Sequence, residues 1–172
     1  IPGAFIYDMD GSGNQVNFAT RGLDPHRSWE YNIRQNGVMI NSDIYGYPAS
    51  HYSMPMEAVR NIEIVQGTAA LQYGAEFGGM FNYVSKSADT TKPISFESIN
   101  TVGSYGLFSS YNALGGKVGK LTYYTYYQRR VSDGYRDNAE SDASAQFANL
   151  QYDFSSKLNL KFEIGRSEYL YR

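Results

Sequence analysis

The strongest constraint on the fold is a strict alternation of apolar and polar residues near the end of the chain. The apolar positions are Leu158, Leu160, Phe162 and Ile164, and the positions between them and after them are Asn159, Lys161, Glu163 and Gly165. Because successive side chains of a strand point to opposite faces, this pattern predicts a sheet with one apolar and one polar face. The preceding segment alternates in the same way.

The second half of the chain predicts five such strands in a row. They are Ile94–Val102, Leu107–Leu114, Lys120–Val131, Ala143–Phe154 and Lys157–Leu170. The predicted turns are Ser104–Gly106, Gly115-Gly116 with Gly119 just after, Ser132–Asp142 and Ser155-Ser156. Strands of about 9–12 residues joined by alternately short and long turns are typical of a transmembrane barrel, whereas strands of soluble sheets average about 5–6 residues.

Composition agrees with strands that meet both lipid and water. The chain has 17 tyrosines against 1 tryptophan, and its mean hydropathy is −0.48. Tyrosine has an apolar body and a polar tip, and the cluster between residues 123 and 127 is typical of an aromatic girdle at a membrane interface. No apolar run approaches the ~20 residues of a membrane helix. A net charge of −2 gives no electrostatic case for nucleic acid.

The first half has shorter and more mixed segments. Asn36-Gly37 lies between two short apolar segments and predicts a hairpin. The stretch Met56–Lys86 then predicts, in order, a turn of helix over Met56–Arg60, a strand around Ile62 and Ile64, a turn at Gly67, a half-helix Ala69–Gln72 capped by Thr68, a turn at Gly78-Gly79 and a strand Phe81–Val84. Residues 87–93 read as a polar linker. The sequence therefore predicts a small α/β piece that leads into a β-meander.

Enzymatic and metal-binding patterns are weak. The chain has two histidines and no cysteine, and it contains no nucleophile elbow and no His-x-x-x-His spacing. Asp8 and Asp10 begin a stretch similar to a calcium loop, but the twelfth position is Ala19, which cannot coordinate a cation. We interpret that stretch as a turn between strands.

The order of several short motifs resembles the plug of a TonB-dependent outer-membrane receptor, of the ferric-citrate or siderophore type. These motifs are Ile1-Pro2-Gly3, Thr20-Arg21-Gly22, Asn36-Gly37-Val38, Ile62–Gly67, Ala70–Gly74 and Gly78–Val84. The family usually has Asp in place of Asn36. The resemblance covers residues 1–87 by motif, and residues 94–172 by strand pattern and by the loop Ser132–Arg136.

The resemblance implies a membrane β fold, with a partial α/β plug domain inside a 22-stranded antiparallel barrel. Residues 1–87 would be the C-terminal part of the plug, and residues 88–172 the first five barrel strands. The early plug and the TonB box are expected to lie outside this sequence. The turns at Ser104–Gly106 and Ser132–Asp142 are expected to face the cell exterior, and those at Gly115–Gly119 and Ser155-Ser156 the periplasm. Cut from its barrel, the chain is expected not to fold stably, because it would leave open strand edges in lipid.

The same resemblance implies active uptake of a ferric chelate across the bacterial outer membrane, without catalytic residues, a cofactor or a resident metal. The implied partners are the TonB–ExbB–ExbD energy-coupling complex, the ferric chelate and outer-membrane lipid. Two alternatives stay open: the same kind of transporter for an oligosaccharide, cobalamin or another metal complex, and a non-transporting structural or adhesin-like barrel.

Three loops are expected at the plug apex, where a ligand would bind. Their candidate residues are His26, Arg27, Tyr45, Tyr47, His51, Tyr52, Gln72 and Tyr73. Arginine and tyrosine suit an anionic, oxygen-rich chelate through charge-assisted hydrogen bonds and stacking. Arg21 matches a plug arginine that pairs with barrel glutamates, and Gln66 stands where many members have a second arginine. Arg21 and Gln66 are therefore the predicted plug–barrel contacts.

Overall fold

The computed structural model describes residues 4–8, 16–20, 22–41, 52, 54–67, 72–74, 76 and 78–172. The chain divides into two compact units, Ile1–Ser85 and Lys86–Arg172. Within the described ranges, no helix is both long enough and apolar enough to cross a membrane. The predicted division into residues 1–87 and 88–172 as plug and barrel stays a prediction.

The first unit is built from two small sheets. Its strands are β1 (Ala4–Asp8), β2 (Val16–Thr20), β3 (Tyr31–Gln35), β4 (Val38–Met39), β5 (Val59–Val65) and β6 (Gly79–Ser85). Strands β1 and β2 form an antiparallel pair, and the other four form a sheet in the order β4-β3-β6-β5. In that sheet β3 and β6 are parallel, and the outer pairs are antiparallel.

The predicted hairpin at Asn36-Gly37 is confirmed. Asn36 has φ of 51° and Gly37 has φ of 84°. Both values are positive, as a two-residue type I′ turn requires, and Asn-Gly is the pair that adopts them at least cost. The turn joins β3 to β4, with Gln35 paired to Val38.

One face of the four-stranded sheet carries the core of this unit. Phe18 from β2 packs on it, with its ring centroid 4.0 Å from that of Phe81 and 4.8 Å from that of Tyr31. Ile33 completes the cluster, and Tyr83 packs at its edge. Burial raises the pKa of the Tyr83 phenol to about 12. The alternation along β3 and β6 thus places the apolar residues on one face.

Two sequence predictions in this unit are wrong in detail. Met56–Ala58 is a single turn of 3-10 helix, and the strand already begins at Val59, so the predicted helix over Met56–Arg60 is too long. The Ala58 N–H donates to the Pro55 carbonyl at 2.9 Å and closes the turn. Val59 then pairs with Ser85 in the sheet, a pairing that suits a β-branched residue. Another 3-10 helix, His26–Ser28, lies inside the predicted loop before β3.

The half-helix Ala69–Gln72 with its Thr68 cap, and most of the predicted turn after Asp8, lie outside the described residues. Gln72 itself is described, in a short turn with Tyr73.

The second unit is one five-stranded antiparallel meander, as predicted. Its strands are β7 (Ser95–Val102), β8 (Phe108–Val118), β9 (Leu121–Ser132), β10 (Ser141–Ser155) and β11 (Leu158–Tyr171). Each pairs with the next along the chain, and β7 and β11 are the two edges. The turns at one end of the sheet are residues 119–120 and 156–157, and the longer turns at the other end are residues 103–107 and 133–140.

The turn predicted at Gly115-Gly116 is wrong, because β8 continues through both glycines to Val118. A Cβ on Gly116 would lie 2.1 Å from the Pro93 carbonyl oxygen. Glycine is therefore needed here for a close backbone approach, and the reversal occurs at Gly119-Lys120 instead. The last turn is displaced by one residue, to Ser156-Lys157.

The two faces of the meander differ sharply. One face, called here the inner face, is buried along much of β8, β9 and β10; its most buried residues are Ser109, Tyr111, Ala113, Tyr124, Tyr126, Gln128, Ala145 and Phe147. The opposite outer face exposes large apolar residues: Ile94, Phe96, Val118, Leu150, Tyr152, Leu158, Leu160, Phe162 and Ile164. The apolar face that the alternation along β10 and β11 predicted is confirmed and belongs to the outer face.

Candidate functional site

The strand directions define one end of the first unit as a common end for three loops. Strands β3 and β6 are parallel and both begin there, whereas β4 and β5 run antiparallel to them and end there. The segments before β3, after β4 and between β5 and β6 therefore all leave from this end. We call it the apical end; it is opposite the end at which Ser85 leads into the linker.

The segment before β3 presents His26 and Trp29 at the surface. His26 begins the 3-10 helix, and its N–H donates to Asp24 Oδ1 at 2.9 Å. Ser28, with φ of 48°, is buried, and its Oγ accepts the Phe18 N–H at 3.0 Å. This bond fixes the helix to β2. The side chain of Trp29, the next residue, is 47% exposed. For Arg27 only the backbone, within this helix, is described.

The segment between β5 and β6 is held to the sheet through Tyr73. The Tyr73 carbonyl accepts from Asn32 Nδ2 at 2.9 Å and from the Arg34 guanidinium at 3.0 Å. The same guanidinium lies over the Tyr73 ring, 5.2 Å from its centroid. Tyr73 is half-buried, and the neighbouring Gln72 is exposed. Sequence analysis missed Asn32 and Arg34, because alternate polar residues on a short strand predict only a solvent-facing side.

For the other predicted site residues, the structure gives position and burial at most. Gln66 is exposed and directly follows β5, at the apical end. Tyr52 is half-buried and precedes the second 3-10 helix. Arg21, Tyr45, Tyr47 and His51 lie outside the described residues. The structure therefore brings His26, Gln66, Gln72 and Tyr73 to one end of the sheet.

Two carboxylates at the apical end, Glu30 and Glu76, interact in a way that the sequence did not predict. The Gly78 N–H donates to the Glu30 carbonyl at 2.6 Å, which joins the segments that carry Glu30 and Glu76. Burial raises the pKa of the Glu76 carboxyl, and the negative charge of Glu30 raises it further. No signal in the sequence could have paired these residues, which are brought together by the parallel pairing of β3 with β6.

The described side chains at the apical end are suited to binding a ligand. Exposed indole, imidazole and amide groups can stack on a ligand and form hydrogen bonds with it. Within the described ranges, no group of three or more His, Cys, Asp or Glu residues is placed to hold a metal ion.

A chain of contacts on the inner face joins the linker to the meander. Lys86 Nζ lies 2.7 Å from Glu97 Oε1 and 5.7 Å from the centroid of the Tyr111 ring. The Tyr111 and Tyr124 hydroxyls are hydrogen-bonded at 2.7 Å. Ion pair, cation–π contact and hydroxyl pair together hold the start of the linker against β7, β8 and β9.

Comparison with known proteins gives a family for the first half and a fold for the whole chain. Residues 1–80 match the model of the TonB-dependent Receptor Plug Domain family. The chain is also similar to three solved structures. The ferric enterobactin receptor PfeA of Pseudomonas aeruginosa is 20% identical, with a TM-score of 0.68, over 97% of this chain and 29% of its own.

The other two structures are a ferric citrate transporter and a copper transporter. The ferric citrate transporter FecA is 17% identical, with a TM-score of 0.71, over 97% of this chain and 27% of its own. The copper transporter OprC is 16% identical, with a TM-score of 0.75, over 100% of this chain and 27% of its own. The chain thus spans less than a third of each of these proteins.

These matches confirm the predicted fold class, a plug followed by part of a membrane barrel, and with it the predicted location in the outer membrane. Residues 1–80 belong to the TonB-dependent receptor plug-domain family, and the chain joins this plug to strands of an outer-membrane receptor barrel.

Proposed function

We propose that this protein is a transporter, not an enzyme, and that it takes up a ferric chelate across the outer membrane with energy supplied by TonB, ExbB and ExbD. The observation that carries this proposal is the plug-domain match over residues 1–80, since a plug closes a pore that must open for transport. Solved receptors of similar fold include one for ferric enterobactin and one for ferric citrate, which supports iron as the cargo.

In this proposal the ligand contacts the apical end. Candidate contacts are the sequence-predicted His26, Arg27, Tyr45, Tyr47, His51, Tyr52, Gln72 and Tyr73, together with Trp29. An exposed indole and an exposed imidazole on the same segment offer stacking surface and hydrogen-bonding groups. Tyr73 is fixed by Arg34, so its ring would meet a ligand in one orientation.

The test is an uptake assay with the full-length receptor in its own host. Deletion of the gene should abolish accumulation of one radioiron-labelled chelate from a panel, and deletion of TonB should have the same effect. His26→Ala combined with Gln72→Ala should reduce binding of that chelate about tenfold or more. Arg60→Ala is the matched control, because Arg60 is exposed at the opposite end of the same sheet.

Normal uptake of every ferric chelate after gene deletion would contradict this proposal. Binding of an oligosaccharide or cobalamin instead would favour the same transporter with another cargo. Uptake of no solute at all would favour a structural or adhesin-like barrel.

A second cargo, a metal ion or a small metal complex, is favoured by one observation. Glu30 and Glu76 interact electrostatically at the apical end, and carboxylate groups attract cations more than anionic chelates. A solved structure of similar fold is a copper transporter. Radioactive copper in the same uptake assay separates the two cargoes.

The predicted plug–barrel contacts are also part of this proposal. Arg21 would pair with barrel carboxylates, and Gln66 would leave one ion pair fewer than in members with arginine there. Arg21→Ala in the full-length receptor is expected to lower the stability of the plug. Unchanged folding and unchanged uptake would contradict that role.

A further inference from the structure

The segment that joins β6 to β7 is fastened to the meander, and it begins at Lys86. The Lys86 ammonium group lies 2.7 Å from Glu97 Oε1 on β7 and 5.7 Å from the centroid of the Tyr111 ring on β8. Tyr111 is fully buried, and Glu97 pairs across the strands with Ala113, another residue of the inner face. The segment therefore starts with contacts to two strands of the inner face.

Two consecutive glycines of β8 let the segment come close to the strand on both faces. A Cβ on Gly115, which lies on the inner face, would be 3.2 Å from the Cα atom of Ala88. A Cβ on Gly116 would point to the outer face, and it would be 2.1 Å from the Pro93 carbonyl oxygen. Because successive residues of a strand point to opposite faces, the segment passes from the inner to the outer face of β8 between Ala88 and Pro93.

Hydrogen bonds hold the segment where it crosses. The Lys117 N–H of β8 donates to the Lys92 carbonyl at 2.9 Å, just beyond the end of the β7–β8 ladder. The Tyr123 hydroxyl, on the outer face of β9, donates to the Pro93 carbonyl at 2.9 Å. The segment thus wraps around the end of β8, and we call residues 86–93 the clasp.

The clasp has mechanical importance wherever the plug is pulled, and this step rests on the proposed function. The hydrogen bonds of an antiparallel pair are perpendicular to the strands. A pull that reached β7 at its first residue, Ser95, would load the β7–β8 bonds one at a time and peel the strand away. A pull that first meets the clasp must break contacts with β7, β8 and β9, on both faces of β8.

We propose that the clasp is a mechanical stop, which transfers a pull on the plug to β8 and β9 and keeps β7 from being peeled off its neighbour. Chain connectivity supports this role, because the clasp directly follows Ser85, the last residue of the first unit. The placement of the contacts supports it too. The Lys86 ion pair resists movement away from the inner face, and the Tyr123 bond resists withdrawal of the chain around β8.

Single-molecule force spectroscopy on the full-length receptor in a lipid bilayer tests this proposal. A handle on Arg60→Cys, an exposed position of β5, pulls on the plug. With the clasp intact, the chain should extend to Lys86 and then resist. Lys86→Met combined with Tyr123→Phe should release residues 86–93 at a lower force, which lengthens the extended chain by up to roughly 28 Å at ~3.5 Å per residue.

Lys92→Met is the matched control, because the Lys92 ammonium group pairs with Asp89 at 3.7 Å within the clasp itself. Its trace should match the wild type, and so should that of Lys86→Arg, which keeps a cation over Tyr111. Tyr123→Phe alone removes one hydroxyl, so it should lower the force at which the clasp opens without changing the length released.

Equal opening forces for the wild type, Tyr123→Phe and the double variant would overturn the proposal. So would a wild-type trace in which β7 detaches before the clasp opens. No chelate enters the force measurement, whereas the uptake assay reports only on cargo, so the two proposals can fail separately.

Discussion

At the scale of single residues, Gly79 is a position that tolerates a side chain poorly. It begins β6 with φ of 115°, and a Cβ there would lie 2.3 Å from the Val65 carbonyl oxygen on the paired strand β5. Backbone strain and a clash with another backbone would act together at this site.

We therefore expect Gly79→Ala to destabilise the plug by about 3 kcal/mol or more. Gly67→Ala is the matched control: Gly67 has φ of 75° but open space around it, so its cost should be about 1 kcal/mol. Hydrogen exchange of β6 amides in the full-length receptor measures both changes. Equal destabilisation by the two variants would contradict this prediction, because it would mean that the backbone shifts to relieve the clash between the new Cβ and the Val65 carbonyl oxygen.

Glu76 gives the plug a pH dependence with a definite sign. Burial and the charge of Glu30 raise its pKa in the folded state, so the folded plug binds this proton more tightly than the unfolded chain does. The contribution to stability is therefore present below the unfolded value of 4.5 and is lost as the pH rises through the folded pKa.

The protection factors of the Gly78 and Gly79 amides should fall as the pH is raised above 4.5. Both amides donate to the segments that carry the two carboxylates, to the Glu30 and Glu76 carbonyls. Glu76→Gln should give protection factors that change little with pH and exceed those of the wild type at pH 7. Protection that rises with pH in the wild type would contradict this assignment.

At the scale of elements, Asn36 fastens the β3–β4 hairpin to the end of β6. Its Oδ1 accepts from the Ser85 N–H at 2.9 Å and from the Ser85 hydroxyl at 3.1 Å. Its own N–H donates to the Tyr83 carbonyl at 2.9 Å. The turn residue thus serves two roles: it takes up the positive φ, and it continues the hydrogen bonding between β3 and β6 beyond the end of β3.

Asn36→Ala should destabilise the plug by about 2 kcal/mol, because the Ser85 N–H loses its acceptor and alanine is strained at φ of 51°. Asn36→Asp keeps an acceptor and the tolerance for this φ, and it is the residue that the family usually has here. It should cost less than half as much. Denaturant-dependent proteolysis of the plug in the full-length receptor would measure the difference, and equal losses would exclude the role of Oδ1.

Strands were predicted from the sequence more reliably than the turns between them. The bounds of β10 and β11 were predicted within two residues at each end, because alternation over so long a segment indicates a strand and no other element. Gly115-Gly116 was misread because glycine marks both a reversal and a close approach, and only the position of Pro93 decides between them. Met56–Arg60 was misread because five residues are too few for helix periodicity to be distinguished from a strand start.

At the scale of the whole molecule, the second unit has two open sheet edges and an exposed apolar face. We expect further strands to cover the edges and a membrane to cover the face. β7 and β11 are unpaired on one side, and the outer face exposes Phe96, Leu160 and Phe162 to more than half of their area. Residues 1–172 expressed alone are therefore expected to aggregate in water. Size-exclusion chromatography and circular dichroism without detergent check this. An ordered, soluble monomer would contradict the barrel assignment.

The candidate site could be predicted only in part. The three loops were chosen from family resemblance, and the strand directions bring their described ends to one end of the sheet. Trp29 was missed because one aromatic residue in a loop carries no periodic signal. The interaction of Glu30 with Glu76 was missed because the two residues are far apart in the chain, and a single sequence contains no information on which strands are parallel neighbours.

The parallel pairing of β3 with β6 also bears on how fast the plug can form. Tyr31 pairs with Gly79, so roughly fifty residues of chain must be closed into a loop before the first contact between these strands is made. The β10–β11 hairpin closes across two residues and can form early. In a newly synthesised chain, the β10–β11 hairpin and its apolar outer face would therefore form before the plug. Until the plug has formed, an open strand edge would be free to pair with another molecule.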